Sequence, residues 1–394
     1  MKTAILLGAG SSIPAGYPCT NTITNLVLSG KDVTRATNSS YYLGDNSNDQ
    51  DGTTTLVNKM ANKLYSEMKK HNEHYGMEQN PNYEEIAYLA AQGCEQWSGE
   101  IDNPVILAFI SRLRVEMASE ISELKNHSHK TCVDNVGNDD MLASLFEETR
   151  NYIADIVWRC LLHKPASLNH LSIVKYIFEK SELTSVSTLC HDNHLETFLR
   201  NEGIALADGF SESSEADIRY WNGSLYSDEG TSFLKLHGSI DWFELKPHLG
   251  DIYDYNVGLL ARHLDSLRLK TSMGEWLDSR GRPLLLIGTF NKISEYSSGI
   301  FHDIHCCFRS TLREADLLFI CGYSFGDKGI NNEIVDWICG DRKRRLTVIH
   351  PDKQNLLSNA RPAIRDNWNE WEKHDSVSVV TKLLEDVDVT DLSL

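Results

Sequence analysis

The amino-acid sequence predicts an α/β fold with a mostly parallel sheet and a large helical insertion. At the start, the apolar run Lys2–Leu7 leads directly into Gly8-Ala9-Gly10, and the helix-like segment Thr20–Leu28 follows. This order of strand, glycine-rich turn and helix begins many nucleotide-binding folds. From about residue 183 onward, short apolar runs alternate with helical spacers, which is typical of parallel strands covered on both faces. These runs are Ser185–Leu189, Phe233–Leu236, Pro283–Gly288, Asp316–Cys321 and Leu346–Ile349. The predicted fold is therefore Rossmann-like.

The stretch between these two parts is predicted to be mainly helical, because apolar residues recur there at intervals of three or four. The predicted helices are Leu56–Met68, one beginning at Asn103-Pro104, Met141–Leu162 and Ser167–Lys180. Two polar stretches, Thr37–Thr55 and Asn126–Asp140, contain too few apolar residues to pack and are predicted as loops. We therefore expect residues 1–30 and 183–394 to form one nucleotide-binding domain, split in sequence by a helical insertion at 31–182.

Composition and charge limit the kinds of function that this protein can have. The hydrophobic content of 41% and the charged content of 24% over 394 residues are ordinary for a globular protein. The formal net charge of −18 repels a polyanion at long range. This charge disfavours broad, non-specific binding of nucleic acid, and we expect no direct, sequence-specific contact with it.

The cysteines and the apolar runs predict a cytoplasmic protein. The nine cysteines include no C-x-x-C pair, which argues against a zinc ribbon or a disulfide framework. No apolar stretch approaches the roughly 20 residues of a membrane span. The apolar start is too short for a secretory signal. Reduced thiols in a cytoplasm fit this pattern best.

The residues after each predicted strand are candidate site residues, because ligands of a parallel sheet lie beyond the carboxyl ends of its strands. Small and polar residues recur at these positions. The segments are Gly8–Ser12, Cys190–His194, His237–Trp242, Gly288-Thr289, Gly322–Asp327 and His350–Asp352.

Four segments together resemble the sirtuin family of NAD-dependent enzymes. Gly8–Pro14 resembles its opening glycine-rich motif, Thr188–Asp192 its T-x-N-x-D motif, Lys235–Gly238 the segment of its catalytic histidine, and Gly322–Phe325 its ribose and phosphate contact. They occur in the family's order. The resemblance covers residues 1–30 and about 183–352, but not the helical insertion.

The resemblance implies a site for NAD as substrate, with His237, Asp192 and Asn193 as catalytic residues. His237 is expected to act as a general base, since an imidazole exchanges a proton near neutral pH. The expected cofactor contacts are Gly8, Ala9, Gly10, Ser11, Ser12, Pro14, Cys190, Gly288, Thr289, Gly322, Ser324, Phe325 and His350. The sequence departs from the family at Cys190 and His350, where the family has asparagine.

Further features indicate a branch of the family. The zinc-binding C-x-x-C pairs of protein deacylases are missing, and the pattern from Gly322 to Asn331 is similar to sirtuin-like NAD hydrolases of bacterial anti-phage systems. The large helical insertion resembles the member paired with a HerA-type hexameric ATPase. The resemblance therefore implies NAD⁺ glycohydrolysis that depletes NAD during infection, in a homo-oligomer regulated by such a partner.

Several alternatives remain at this point. The chain is either a hydrolase, a sensor or assembly module that binds NAD or ADP-ribose without cleaving it, or a zinc-free deacylase. Asp192 is either a site carboxylate or a cap for a helix at His194–Asn201. A metal site formed by His191, Asp192 and His194 lacks an evident fourth ligand, so no metal is predicted.

Overall fold

The computed structural model describes residues 1–44, 52–76, 79–100, 104–122, 138–212, 218–223, 226, 231–260, 267–289 and 292–392. These residues form two compact units. The first unit contains Met1–Cys19, Leu161–Leu286 and Lys292–Leu394, and the second contains Thr20–Cys160 and Ile287–Asn291. These bounds differ from the expected ones at residues 30 and 182.

A seven-stranded parallel sheet is the centre of the first unit. Its strands are β1 (Lys2–Leu7), β4 (Glu182–Thr188), β5 (Leu206–Ala207), β7 (Thr231–Lys235), β12 (Leu317–Cys321), β13 (Arg345–Ile349) and β14 (Val377–Val380). Their order across the sheet is β14-β13-β12-β1-β4-β7-β5. The predicted α/β, Rossmann-like fold is confirmed, and the central place of β1 explains its uninterrupted apolar sequence.

Helices cover this sheet. They are α6 (Ser172–Lys180), α7 (His194–Asn201), α8 (Lys292–Glu295), α9 (Gly299–Glu314), α10 (Lys328–Gly340), α11 (Lys353–Asn359), α12 (Pro362–Arg365) and α13 (Trp368–Lys373). Short 3-10 helices lie at Ala9–Ala15, Asn169–Leu171, Ile252–Asp254, Leu384–Asp386 and Val389–Asp391. Ala4 and Leu6 of β1 pack into one buried core, while Ile5 and Leu7 pack into another. This alternation places an apolar layer on each face of the sheet.

A second, five-stranded antiparallel sheet belongs to the same unit and was not predicted. Its strands, in the order β10-β11-β8-β9-β6, are β6 (Ile218–Tyr220), β8 (Gly238–Pro247), β9 (Asn256–Leu260), β10 (Arg268–Lys270) and β11 (Trp276–Leu285). The predicted parallel strand at Pro283–Gly288 is therefore wrong, because Pro283 belongs to β11, which pairs antiparallel with β8. An apolar run does not reveal strand direction.

The second unit contains α1 (Thr20–Ser29), α2 (Thr53–His74), α3 (Tyr83–Ser98), α4 (Pro104–Glu116) and α5 (Asn138–Cys160), with the hairpin of β2 (Val33–Arg35) and β3 (Tyr41–Leu43). The predicted helices at 56–68 and 141–162 are confirmed. The predicted loop Thr37–Thr55 is wrong in part: Tyr41 begins β3 and is fully buried. Of the other predicted loop, 126–137 lie outside the described residues and 138–140 belong to α5.

Helix α3 was missed, although Asn82 and Glu85 form a capping box at its start. Within the described ranges, no helix is both long enough and apolar enough to cross a membrane.

Candidate active site

The carboxyl ends of four central strands lie level with one another. Leu7 at the end of β1 pairs with both Thr188 of β4 and Cys321 of β12, and Thr188 pairs with Lys235 of β7. The loops that follow these strands therefore leave the sheet at one edge. The resemblance to sirtuins placed the site at this edge.

Three glycines allow two of these loops to touch. The Gly8 N–H donates to the Cys321 carbonyl at 2.8 Å, and the Gly10 N–H donates to the Gly322 carbonyl at 2.9 Å. A Cβ on Gly8 would lie 2.5 Å from the Gly322 oxygen, and Gly322 has a φ of 68°. The glycine-rich turn is therefore required by packing between the loops of β1 and β12, whatever ligand approaches them.

A buried polar cluster joins the loops of β1 and β4. Ser12 Oγ donates to Asp192 Oδ2 at 2.8 Å, and the second oxygen of this carboxylate is hydrogen-bonded to His194 Nδ1. Ser11 Oγ lies 3.4 Å from His194 Nε2 and 3.8 Å from Cys190 Sγ. These five side chains are at most 3% exposed. The structure thus brings four predicted site residues together and adds His194.

The electrostatics of this cluster favour an ionised carboxylate beside a neutral thiol. Burial alone would raise the pKa of Asp192, but the hydrogen bond and charge of His194, with Lys235, hold it well below its ordinary value. Burial, together with the charge of Asp192, raises the pKa of Cys190 to about 12. A thiol in this state is no nucleophile at neutral pH.

Asn193 belongs to a second group, centred on Lys235. The Lys235 ammonium pairs with Glu196 and donates to the Asp192 carbonyl at 2.6 Å and to Asn193 Oδ1 at 3.1 Å. Asn193 Nδ2 donates to Asp241 Oδ2 at 2.9 Å. The Asn193 amide is therefore fixed by protein groups at both its oxygen and its nitrogen.

His237 lies in a third group, at the end of β7. Its Nε2 lies 2.9 Å from the Tyr296 hydroxyl and 3.3 Å from Asp327 Oδ2, and the Tyr296 hydroxyl donates to the same carboxylate oxygen at 2.6 Å. Burial would raise the pKa of Asp327, but the hydrogen bond and charge of His237, with Lys292 and Tyr296, lower it. An ionised carboxylate therefore faces the imidazole of His237.

Two further histidines near His237 are held neutral. Burial, with the charges of His237 and two lysines, lowers the pKa of His191 well below its ordinary value. Burial and His237 lower the pKa of His305 to about 4. The His191 ring centre lies 6.3 Å from that of His237, and within the described part of the chain its buried Nδ1 has no hydrogen-bond partner. The area around His237 is thus rich in polar atoms, and one of them is unsatisfied.

The remaining predicted contacts have varied surroundings. Ala9 and Ser324 are exposed, and Pro14 and His350 are half-buried. The Phe325 side chain is fully buried, with a φ of 57°, so this residue offers a ligand only its backbone.

Gly288 and Thr289 follow β11 and belong to the segment Ile287–Asn291 of the second unit. Their selection rested on a parallel strand that the fold does not contain. Their predicted role as cofactor contacts stays a prediction from sequence.

The sequence did not predict Tyr296 or His305 as residues of the site, and it did not predict that Asp327 contacts His237. Asp327 did carry a signal, since it belongs to the pattern from Gly322 to Asn331. Its main-chain N–H donates to the Tyr323 hydroxyl at 3.1 Å, and its Oδ1 accepts from the Ile330 N–H at 3.0 Å and caps α10. Tyr296 follows α8 in a segment without a recognisable motif, so only the folded chain shows its role.

The three metal ligands considered from the sequence, His191, Asp192 and His194, do not lie together in the structure. His191 lies toward His237, whereas Cys190, Asp192 and His194 converge, with one ligand atom of each within 4.8 Å of the others. Cys190, Asp192 and His194 are every second residue of the turn after β4, so their side chains lie on one side of it. The side chain of His191 lies on a different side.

Comparisons with known proteins give one family match. Residues 184–374 match the family model of the SIR2-like domain. No curated protein matches the chain.

Solved structures of Sir2 homologues resemble it only remotely. One is a Sir2 homologue in complex with NAD, at 13% identity, covering 98% of this chain and 85% of that one, with a TM-score of 0.37. Another is Sir2 bound to an acetylated peptide, at 10% identity, covering 97% and 88%, with a TM-score of 0.35. Residues 184–374 therefore resemble a SIR2-like domain, and they share the parallel sheet with β1 from the start of the chain.

Proposed function

We propose that the chain is an NAD⁺ glycohydrolase, which releases nicotinamide and ADP-ribose. The observation that carries the proposal is the buried pair of His237 and Asp327 at the carboxyl edge of the sheet, inside the SIR2-like domain. A histidine beside an ionised carboxylate is a competent general base, because the carboxylate stabilises the imidazolium that forms. The Nδ1 atom of the nearby His191 has no hydrogen-bond partner among the residues that the structure describes, which supports a polar ligand at this place.

The proposed reaction breaks the bond between nicotinamide and the ribose carbon. The bonding electrons leave with nicotinamide, which is cationic in NAD⁺ and so a good leaving group. Water adds to the ribose carbon, and its proton passes to His237. Asp327 and Tyr296 hold the imidazole in place during the transfer.

The nucleotide is proposed to lie along the loops after β1, β4 and β12. Backbone groups of Gly8–Ser12 and of Gly322 and Ser324 would contact the phosphates and the adenosine side. Asp192 and Asn193 are proposed to orient the ribose and the water. Polar backbone groups at a sheet edge suit this purpose, since they bind phosphate without a bulky side chain.

The second unit is proposed to mediate assembly. Helix α4 leaves Val105, Leu107 and Val115 at least half exposed, although its sequence is largely apolar. Such a face supports association with other copies of the chain. We further propose that a HerA-type ATPase partner regulates the site, and that NAD depletion serves anti-phage defence. An unregulated NAD hydrolase would harm its own cell, which is a reason for control by assembly.

A second candidate function is binding of NAD or ADP-ribose without hydrolysis. The observation in its favour is Cys190, a buried neutral thiol at the position of the family's catalytic asparagine. A thiol positions water poorly, because it is a weak hydrogen-bonding group.

One experiment separates these functions. Pure protein is incubated with NAD⁺, free nicotinamide is followed, and binding is measured in parallel by calorimetry. Release that depends on His237 supports the hydrolase. Binding without release supports the sensor, and release only with an added acetyl-lysine peptide would indicate a deacylase.

A further inference from the structure

Cys190, Asp192 and His194 form a buried cluster that the proposed hydrolysis does not use as a unit. Each residue offers one ligand atom, and these atoms all lie within 4.8 Å of one another. The three side chains come from a turn of five residues, directly after β4. We infer that this cluster binds one divalent metal ion, and that Zn²⁺ suits its donors best.

The donor set matches the chemistry of zinc. A thiolate, an imidazole and a carboxylate are the three ligand types that Zn²⁺ takes in proteins, whereas Mg²⁺ and Ca²⁺ prefer oxygen alone. The neutral Cys190 thiol would lose its proton on binding the ion, as cysteine ligands of metals do. With metal–ligand bonds of about 2.0–2.3 Å, tetrahedral donors lie roughly 3.3–3.8 Å apart. The three proposed ligand atoms lie within 4.8 Å of one another, so a shift of about 1 Å brings them to these spacings. His194 Nδ1 and Asp192 Oδ1, which share a hydrogen bond, would move apart to admit the ion. Ser12 Oγ also contacts both of these ligands, at 3.4 Å from His194 Nδ1 and 2.8 Å from Asp192 Oδ2.

The hydrogen bonds of His194 direct a cation to its Nδ1. Ser11 Oγ donates its proton to the Gly8 carbonyl at 2.8 Å, so this oxygen can only accept from His194 Nε2, which lies 3.4 Å away. The Nε2 atom is thereby assigned its hydrogen. The other nitrogen, Nδ1, faces the Asp192 carboxylate, where either a proton or a metal ion fits. A metal ion would take the place of that shared proton.

The surroundings also hold the ligands in position, as outer groups do in known metal sites. His170 Nε2 donates to the Ser11 carbonyl at 2.9 Å, and its ring stacks on that of His194, with ring centres 6.2 Å apart. The Lys235 ammonium fixes the Asp192 carbonyl at 2.6 Å. Hydrogen bonds from His170 and Lys235 therefore hold the ligands in position before any ion binds.

This inference goes beyond the proposed hydrolase and does not depend on it. With a metal ion in place, Asp192 is a ligand, and the proposed contact to the ribose falls to Asn193 alone. The site is also distinct from the C-x-x-C pairs that the sequence lacks.

The test uses the full-length protein with Zn²⁺ and Co²⁺ as probes. After loading and dialysis, we expect one zinc per chain by plasma mass spectrometry. Loading with Co²⁺ should give a thiolate-to-cobalt charge-transfer band in the near ultraviolet. Cys190→Ser should abolish that band and weaken zinc binding at least about tenfold, since loss of mere outer-shell groups already costs 10–100-fold.

Two further variants keep the test decisive. Cys306→Ser removes an exposed thiol that lies 3.6 Å from His302, the kind of surface pair that binds zinc weakly, and it should change neither stoichiometry nor band. Asp192→Asn, which keeps the shape, should weaken binding even if Cys190→Ser proves unstable. The inference is overturned if the wild-type protein retains no zinc, or if binding survives both cluster variants and is lost in Cys306→Ser.

Discussion

The imidazole of His237 and the carboxylate of Asp327 lie 3.3 Å apart, and the Tyr296 hydroxyl bridges them. His237 follows β7, and Asp327 follows β12 at the start of α10. In the sheet, β7 and β12 lie on opposite sides of the pair β1 and β4. The contact therefore depends on the whole central sheet. Both residues are more than nine-tenths buried, so their electrostatic coupling is only weakly screened by water.

His237→Ala should reduce nicotinamide release by at least about 10²-fold, because it removes the only proposed base. NAD⁺ binding by calorimetry should change little. His248→Ala, which removes a half-buried histidine paired with Asp278, is the matched control. Turnover of the His237 variant within threefold of the wild type would refute the assignment.

Asp327→Asn should lower turnover about tenfold or more without abolishing it. The amide keeps the shape but no longer stabilises the protonated imidazole, so the rate should also depend differently on pH. Tyr296→Phe removes the bridging hydroxyl alone and should have a smaller effect. Unchanged pH–rate profiles in both variants would show that the two groups are merely structural.

Cys190→Asn should keep or raise nicotinamide release, because it restores the residue type that the sirtuin resemblance places here. The same variant should lose the cobalt–thiolate band. Hydrolysis falling to background would contradict the alignment of Thr188–Asp192, and Cys190→Ser serves as the comparison because it removes the thiol without adding an amide.

Stability should fall as the pH decreases from about 6.5 to about 4. The pKa of His305 is lowered from 6.5 to about 4, so in that range the unfolded chain binds a proton that the folded chain does not. At ~1.4 kcal/mol per pKa unit, His305 alone should lower the free energy of unfolding by up to about 3 kcal/mol across this pH range. His305→Gln should flatten the slope measured by urea unfolding at several pH values. The exposed His374→Gln is the control, and equal slopes in all three proteins would contradict the prediction.

Leu107→Lys together with Val115→Lys should weaken self-association, because both side chains are at least half exposed on α4. Light scattering at micromolar concentration should show an oligomer for the wild type and a smaller species for the variant. A wild-type protein that is already a stable monomer would count against assembly through this helix.

The sequence by itself determined the parallel sheet and the edge at which the candidate site lies. The apolar run of β1, the glycines after it and the short apolar runs of the second half predicted a parallel sheet, because strands covered on both faces require such sequences. His237 was predicted because it follows a strand and precedes Gly238. That glycine has a φ of 84°, and a Cβ there would lie 2.0 Å from the Leu284 carbonyl oxygen.

Only the tertiary structure decided which residues meet. Tyr296 and Asp327 reach His237 from segments 59 and 90 positions away along the chain, and no local pattern encodes such a distance. The antiparallel sheet was missed for the same reason, since strand direction depends on pairing and not on composition. Likewise, the path of one irregular turn after β4 decided that the side chains of Cys190, Asp192 and His194 lie together and that His191 lies apart from them. Sequence periodicity describes regular strands and helices, and it says nothing where the backbone follows neither.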